Sequence, residues 1–293
     1  MKYVLHSYSV WEIGQRVDDK GNPHQEDSIF PAAGKQRDSD RLFILCDGMG
    51  GHSAGEVASQ TVCEAISDSI LSHTDAEGDF TKEDFLAALD AAYDALDARD
   101  NGAEKKMGTT LTVLKLHASG YLIAHIGDSR VYHIRPGHTE KDTRIIFETK
   151  DHSLVNALVD VGEITPEEAK TFTRKNVIMR SMQPNMERRS KADVHMSSDI
   201  MPGDYFMLCS DGMLENIDDD NLRFIFSKAG GNDRNKVENA LTKGTSSNRD
   251  NHSAIIVHIL DVTGRPARPG NNETRHQCPP GIIERLKRTL HIR

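Results

Sequence analysis

The sequence predicts an α+β protein with antiparallel sheets, on three observations. First, short apolar runs end abruptly in an aspartate and a glycine: Leu42 to Cys46 before Asp47-Gly48, Tyr205 to Cys209 before Ser210-Asp211-Gly212, and Tyr121 to Ile126 before Gly127-Asp128. Such runs read as strands buried on both faces. Second, two segments carry apolar residues at three- and four-residue spacing with polar residues opposite, so each packs one face against something flat, most simply a sheet. Third, strand candidates at 109–116 and 121–127 are joined only by His117 to Gly120, a link that suits a hairpin and is too short for a parallel crossover.

In order, residues 3–13 predict an opening strand, 14–28 a polar loop, and Ile29-Phe30-Pro31 a return to apolar character. The Asp47 strand leads into a helix over 53–72, with Ser53 as its N-cap and Ala54, Val57, Ala58, Val62, Ile66 and Ile70 on the apolar face. A second helix runs from Lys82 to Ala98, through Phe85, Leu89, Ala92, Tyr93 and Leu96. Another strand covers 130–135, and 153–162 is helix-like. Thr165-Pro166-Glu167-Glu168 then opens a further helix, with a capping hydroxyl, proline in the first turn and an acid three residues after the cap. From Phe172 to Lys191 the chain is polar and basic without periodicity, and predicts a mobile surface segment. Strands at 205–210 and 254–260 follow, with helices around Asp219 to Ser227 and Asn235 to Leu241 between them.

Beyond Val262 the composition changes. Gly264, Pro266, Pro269, Gly270, Pro279 and Pro280 make a linker, and Ile282 to Leu290 predicts a short basic amphipathic helix. The expected organisation is one domain over 1–262 and a basic Pro/Gly-rich segment over 263–293. Residues 282–293 are the candidate docking element for a partner or an anionic membrane surface.

Net charge is −9, and the last 31 residues carry +5, so the body holds −14. That balance argues against nucleic acid as partner. It also repels phosphorylated substrates unless bound cations reverse the local field. The N-terminal residues lack the apolar run of a secretory leader, and no stretch approaches the roughly 20 apolar residues of a transmembrane helix. The four cysteines include no CxxC pair, which suits a reducing compartment, so a cytoplasmic location is expected.

The acids that bear chemistry are Glu26, Asp27, Asp47, Asp128, Asp211 and Asp250. Each alone is an ordinary turn residue. Several at the ends of separate strands would gather at one rim, and clustered carboxylates suit hard cations such as Mg²⁺ or Mn²⁺.

Seven pieces in this order resemble the bacterial-type protein phosphatase 2C family of metal-dependent Ser/Thr protein phosphatases. They are Gln25-Glu26-Asp27-Ser28; Asp47-Gly48-Met49-Gly50-Gly51-His52 with Gly55-Glu56-Val57-Ala58; Met107-Gly108-Thr109-Thr110; Ile126-Gly127-Asp128-Ser129-Arg130-Val131-Tyr132; Asp151-His152-Ser153-Leu154; Cys209-Ser210-Asp211-Gly212; and Arg249-Asp250-Asn251. The resemblance implies a four-layer αββα sandwich, with two mostly antiparallel sheets flanked by helices and the metals at one edge. It implies two Mn²⁺ or Mg²⁺ ions bridged by Asp47. Asp211 and Asp250 would hold one ion, the Gly48 carbonyl the other, and Asp128 a third, weaker one. Glu26 and Asp27 would act through metal-bound waters, and a water between the metals would attack the phosphorus of phosphoserine or phosphothreonine directly. His52 is the candidate proton donor, since imidazole titrates near neutrality. His152 reads as a brace for a turn.

The family arginine that normally lies five residues before the position of Asp27 is absent, because Asn22 stands there. Arg16, which follows Gly14-Gln15, takes the role if residues 17–24 carry an insertion that folds back. Arg180-Ser181-Met182-Gln183-Pro184 also departs from the family pattern of arginine, variable residue, leucine, glycine, which bears on substrate selection. The expected substrates are phosphorylated proteins, with a Ser/Thr kinase or its targets as the natural counterpart. The rival functions are dephosphorylation of an anti-sigma-antagonist-type regulator, and a non-catalytic, metal-stabilised binding module on the same fold.

Overall fold

The apolar runs are strands whose alternate residues face two different cores. The computed structural model describes residues 1–264 except 19, 51–53, 74, 76–77, 101, 103–105, 173–176 and 245–247. In chain order its elements are β1 (Lys2–Glu12), β2 (Asp27–Phe30), β3 (Leu42–Met49), α1 (Ala54–His73), α2 (Lys82–Asp97), β4 (Gly108–Thr109), β5 (Leu111–His117), β6 (Gly120–Ile126), β7 (Arg130–Arg135), β8 (Arg144–Glu148), α3 (Leu154–Asp160), α4 (Pro166–Lys170), β9 (Asp193–Ser197), β10 (Tyr205–Cys209), α5 (Asp211–Leu214), α6 (Asp219–Phe226), α7 (Asp233–Gly244) and β11 (His252–Thr263).

Two sheets form, in the orders β1-β11-β10-β7-β8 and β2-β3-β5-β6-β9, with β4 added to β3. Every pairing is antiparallel. In β3, Phe43 and Leu45 point between the sheets, where they meet Leu114, Phe206, Leu208 and Ile255. Ile44 and Cys46 point the other way, into the core that α1 and α2 complete with Val62, Ile66, Phe85 and Tyr93. On the far side, Met207, Cys209 and Ile256 meet Met213, Leu222, Ile225 and Phe226 of α5 and α6. The result is helix, sheet, sheet, helix, the four layers expected. A strand covered on both faces has no polar side, which is why these segments read as continuous apolar runs.

The helix predictions at 82–98 and from Pro166 hold. Thr81 and Thr165 each accept a hydrogen bond from the backbone N–H three residues on, and Asp84 and Glu168 return it. The N-cap expected at Ser53 lies outside the described residues. Strands β8 and β9 were not foreseen. Both are sheet edges with half-exposed, mixed faces, so neither carries an apolar signature.

The segment expected to be mobile over 172–191 is seated where it is described. Thr109 and Met182 exchange backbone hydrogen bonds, and Met182 is fully buried. Arg189 lies over the Tyr93 ring and donates to Asp94 and Asp97 of α2 at 2.5 and 2.9 Å. Its anchors are long-range partners, invisible to local periodicity. No described helix is long and apolar enough to cross a membrane. All but Thr263 and Gly264 of the basic C-terminal segment, including 282–293, lies outside the described residues.

Candidate active site

Strand register decides which acids meet. Asp27 of β2 stands directly opposite Asp47 of β3. Asp47 lies inside its strand, not at the end as the sequence suggested, because β3 continues to Met49 to pair with β4. Asp128 occupies the turn between β6 and β7, Asp211 opens α5 immediately after β10, and Asp250 precedes β11. These are neighbouring strands of the two sheets, so five carboxylates from five chain segments gather at one rim.

Their electrostatics show the cost of that gathering. Burial, then repulsion from Asp27, Asp211, Asp250 and Asp128, holds the Asp47 carboxyl well above the ordinary carboxylate range. Burial and Asp250 push Asp211 up as well, although a hydrogen bond with Asp47 opposes them. Asp128 is pushed up to about 7 by burial, Asp211 and Asp151. Burial likewise raises Asp27 to about 7, against the pull of the Ser253 and Ser210 hydroxyls. Both carboxylate oxygens of Asp27 and Oδ1 of Asp128 are buried without a hydrogen-bond partner in ordinary geometry. Orphaned, mutually repelling oxygens are what a divalent cation relieves, so the donor set fits Mn²⁺ or Mg²⁺. Among the described residues, the one group of three His, Cys, Asp or Glu donors within 4.8 Å of one another lies elsewhere. The acidic rim is therefore wider than a single-ion cage, and suits ions that keep waters in their shells.

Gly48 permits the close approach that builds this rim. A Cβ there would stand 2.2 Å from the Gly55 carbonyl oxygen and 2.6 Å from that of Glu26. Gly48 N–H donates to the Glu26 carbonyl at 3.1 Å, and Glu26 N–H donates to Asn251 Oδ1 at 2.8 Å. Asn251 Nδ2 also donates to the carbonyls of Ile13 and His24 at 2.9 Å each, so one amide ties both ends of the loop between β1 and β2 to the Asp250 position. Nothing local in the sequence marks Asn251 for this.

The loop after β1 folds back as the sequence required. Val17 and Pro23 form an isolated bridge, His24 N–H donates to the Arg16 carbonyl, and Asn22 caps Asp18 instead of reaching the site. Arg16 enters the acidic cluster. Its guanidinium pairs with the Glu26 carboxylate through Nε at 2.9 Å and through Nη2, and with Asp250 at 3.3 Å. His24, which no local sequence pattern marks, also lies beside this cluster: its Nε2 is buried, 3.9 Å from Glu26 and 4.0 Å from Glu56. His52 lies outside the described residues.

The tight three-donor group is His125, His152 and Asp193. His152 Nδ1 accepts from Gly127 N–H at 3.1 Å, so a neutral ring carries its proton on Nε2, which faces Asp193 at 3.3 Å. Arg180 Nη1 stands 3.1 Å from both His152 Nε2 and Asp193. A guanidinium already fills the place of a cation, so this is a clamp on the Gly127-Asp128 turn. The turn-bracing role expected of His152 is what the geometry shows.

The family model described as Protein phosphatase 2C matches residues 13–243. The chain belongs to the protein phosphatase 2C family. It is 34% identical over 259 residues to the serine/threonine protein phosphatase PstP of Mycobacterium tuberculosis, covering 84% of this chain and 44% of that protein, so it spans under half of that relative's length. It is 32% identical over 228 residues to a putative protein phosphatase 2C-type protein of Streptococcus pyogenes, covering 74% of this chain and 85% of the relative. The catalytic domain of PstP solved in complex with two manganese ions superposes with a TM-score of 0.64 at 31% identity, over 89% of this chain and all of that one. Protein phosphatase 2C membership accounts for the two antiparallel sheets flanked by helices.

Proposed function

We propose that this phosphatase 2C chain is a Mn²⁺- or Mg²⁺-dependent protein serine/threonine phosphatase, with residues 1–262 as the catalytic domain, working in the cytoplasm on phosphorylated proteins that include a Ser/Thr kinase or its targets. The observation that carries it is the set of five carboxylates brought to one rim, with Asp27 and Asp128 buried and Asp47 facing Asp27 across the ladder. Asp47, Asp211, Asp250 and the Gly48 carbonyl would hold two cations, and Asp128 a third. When bound, such cations neutralise phosphoryl charge and lower the pKa of a coordinated water.

The chain's own residues supply the rest. Glu26 and Asp250 hold the Arg16 guanidinium at the rim, about a third exposed, where it can grip a phosphoryl group with two N–H donors. Asp27 and Glu26 would hold waters around the cations. Among the described residues, the cysteines are buried and none competes as a nucleophile here. Cys46 and Cys209 face the helix layers, and burial drives the first thiol well up and the second to about 12. That supports direct attack by water on phosphorus.

With p-nitrophenyl phosphate and a phosphothreonine peptide, turnover is expected to require added Mn²⁺ or Mg²⁺. Absence of turnover on both substrates with either ion would favour the binding module. In the same assay Arg16→Ala is expected to raise KM by roughly 10-fold or more with a smaller change in kcat, the pattern of a lost ground-state contact worth ~1.4 kcal/mol. An unchanged KM would leave Arg16 as no more than a counter-ion to Glu26 and Asp250.

A further inference from the structure

The rim acids Asp47 and Asp128 belong to different elements, and one buried hydroxyl joins them. Asp47 N–H donates to Thr110 Oγ1 at 2.9 Å. Thr110 N–H returns a bond to the Asp47 carbonyl at 2.9 Å, and Thr109 Oγ1 donates to that carbonyl at the same distance. Both polar groups of the Asp47 backbone are therefore held by Thr109 and Thr110. While accepting from Asp47, the Thr110 hydroxyl makes a second bond, 2.7 Å to Ser129 Oγ. Ser129 directly follows Asp128, and both hydroxyls are fully buried. The rest of Thr110 presses on the same turn. A Cβ at Gly127, whose φ is +109°, would stand 2.6 Å from Thr110 Cγ2, so no side chain fits between them.

We propose that Thr110 is a positioning residue: its hydroxyl, with that of Ser129, sets the distance between the Asp47 and Asp128 carboxylates and so the affinity of the rim for divalent cations. This rests on the reading of those carboxylates as cation ligands. The physical ground is that a ligand's placement depends on the groups that hold it, and loss of such an outer partner typically costs about 10–100-fold in metal affinity. A buried hydroxyl pair has no water to replace a missing partner, so the strand and the turn shift relative to each other. The clamp by His152 ties Gly127 to the segment before α3, whereas the Thr110–Ser129 bond refers the turn, through Thr110, to Asp47 of β3.

The test is Mn²⁺ binding to the full chain by titration calorimetry and by the electron paramagnetic resonance of free Mn²⁺, with thermal melting as the folding control. Thr110→Val keeps the shape and removes the hydroxyl, and is expected to weaken Mn²⁺ by roughly 10-fold or more. Thr110→Ser restores the hydroxyl without the methyl and is expected to return affinity to within about threefold of wild type. Ser129→Ala leaves the Asp47 bond in place, so it should weaken only the weaker class of Mn²⁺ sites; it also serves if Thr110→Val does not fold. Wild-type affinity in a folded Thr110→Val, or in Ser129→Ala, overturns the proposal. Equal weakening in Thr110→Ser and Thr110→Val also overturns it, assigning the effect to the methyl against Gly127. If Asp47→Asn binds Mn²⁺ as wild type does, the cation-ligand reading itself fails and the proposal falls with it.

Discussion

Asp47→Asn is expected to lose metal-dependent phosphatase turnover, with kcat/KM falling by roughly 10³-fold, the scale seen when a principal electrostatic stabiliser is removed. Asp47 is the centre of the rim. It faces Asp27 across the ladder, shares a hydrogen bond with Asp211, and feels Asp250 and Asp128. Asparagine keeps its size but offers one neutral carbonyl oxygen where the two proposed cations would need a shared anion. The same substitution should leave the fold intact. Its carboxyl is pushed up by burial and by like charges, so a neutral amide there removes repulsion. With a chelator present, Asp47→Asn is expected to melt at or above the wild-type temperature. The two measurements together separate a functional acid from a structural one. Activity within 10-fold of wild type would contradict the role of Asp47, and a lower melting temperature would contradict the charge argument.

A second large effect is expected in how stability depends on cations and pH. Asp27 and Asp128 rise from the ordinary 3.8 to about 7, and Asp47 and Asp211 are raised too. With a chelator present, the native chain keeps protons that the unfolded chain releases near pH 4. The stability those protons confer is complete below about pH 4 and is lost as pH climbs through about 7. A divalent cation takes the place of the protons, so its binding strengthens over the same range. The melting-temperature gain on adding Mn²⁺ over chelator should therefore be small near pH 5 and large near pH 8. At 100-fold saturation one ion contributes about 2.7 kcal/mol. For a domain of this size that is roughly 5–10 °C. A gain that stayed constant between pH 5 and 8 would count against the acidic rim as the binding place.

How much of this was legible in the sequence depends on the range of the interaction. The β3, β6 and β10 runs, the periodic face of α2, the α4 capping box and the acids beside glycine are local signals, and they stand. The edge strands β8 and β9 have no such signal, since one exposed side dilutes their apolar pattern. Residues 177–191 looked unattached because their anchors, Thr109 and the acids of α2, are about 70 to 100 positions away. Arg16 could be named as a site residue only through a resemblance; the Val17–Pro23 bridge is what carries it to Glu26.

From the sequence alone came the kind of element that each strongly periodic segment forms and the stock of carboxylates, because side-chain periodicity and turn chemistry act within a few residues. Which acid faces which was settled by tertiary structure: Asp27 against Asp47, Asp211 within reach of Asp47, and Asp128 tied to Asp47 through Thr110 and Ser129. The reason is that strand register and sheet order arise from packing between distant segments, and a one-residue slip between β2 and β3 would already turn Asp27 to the face opposite Asp47.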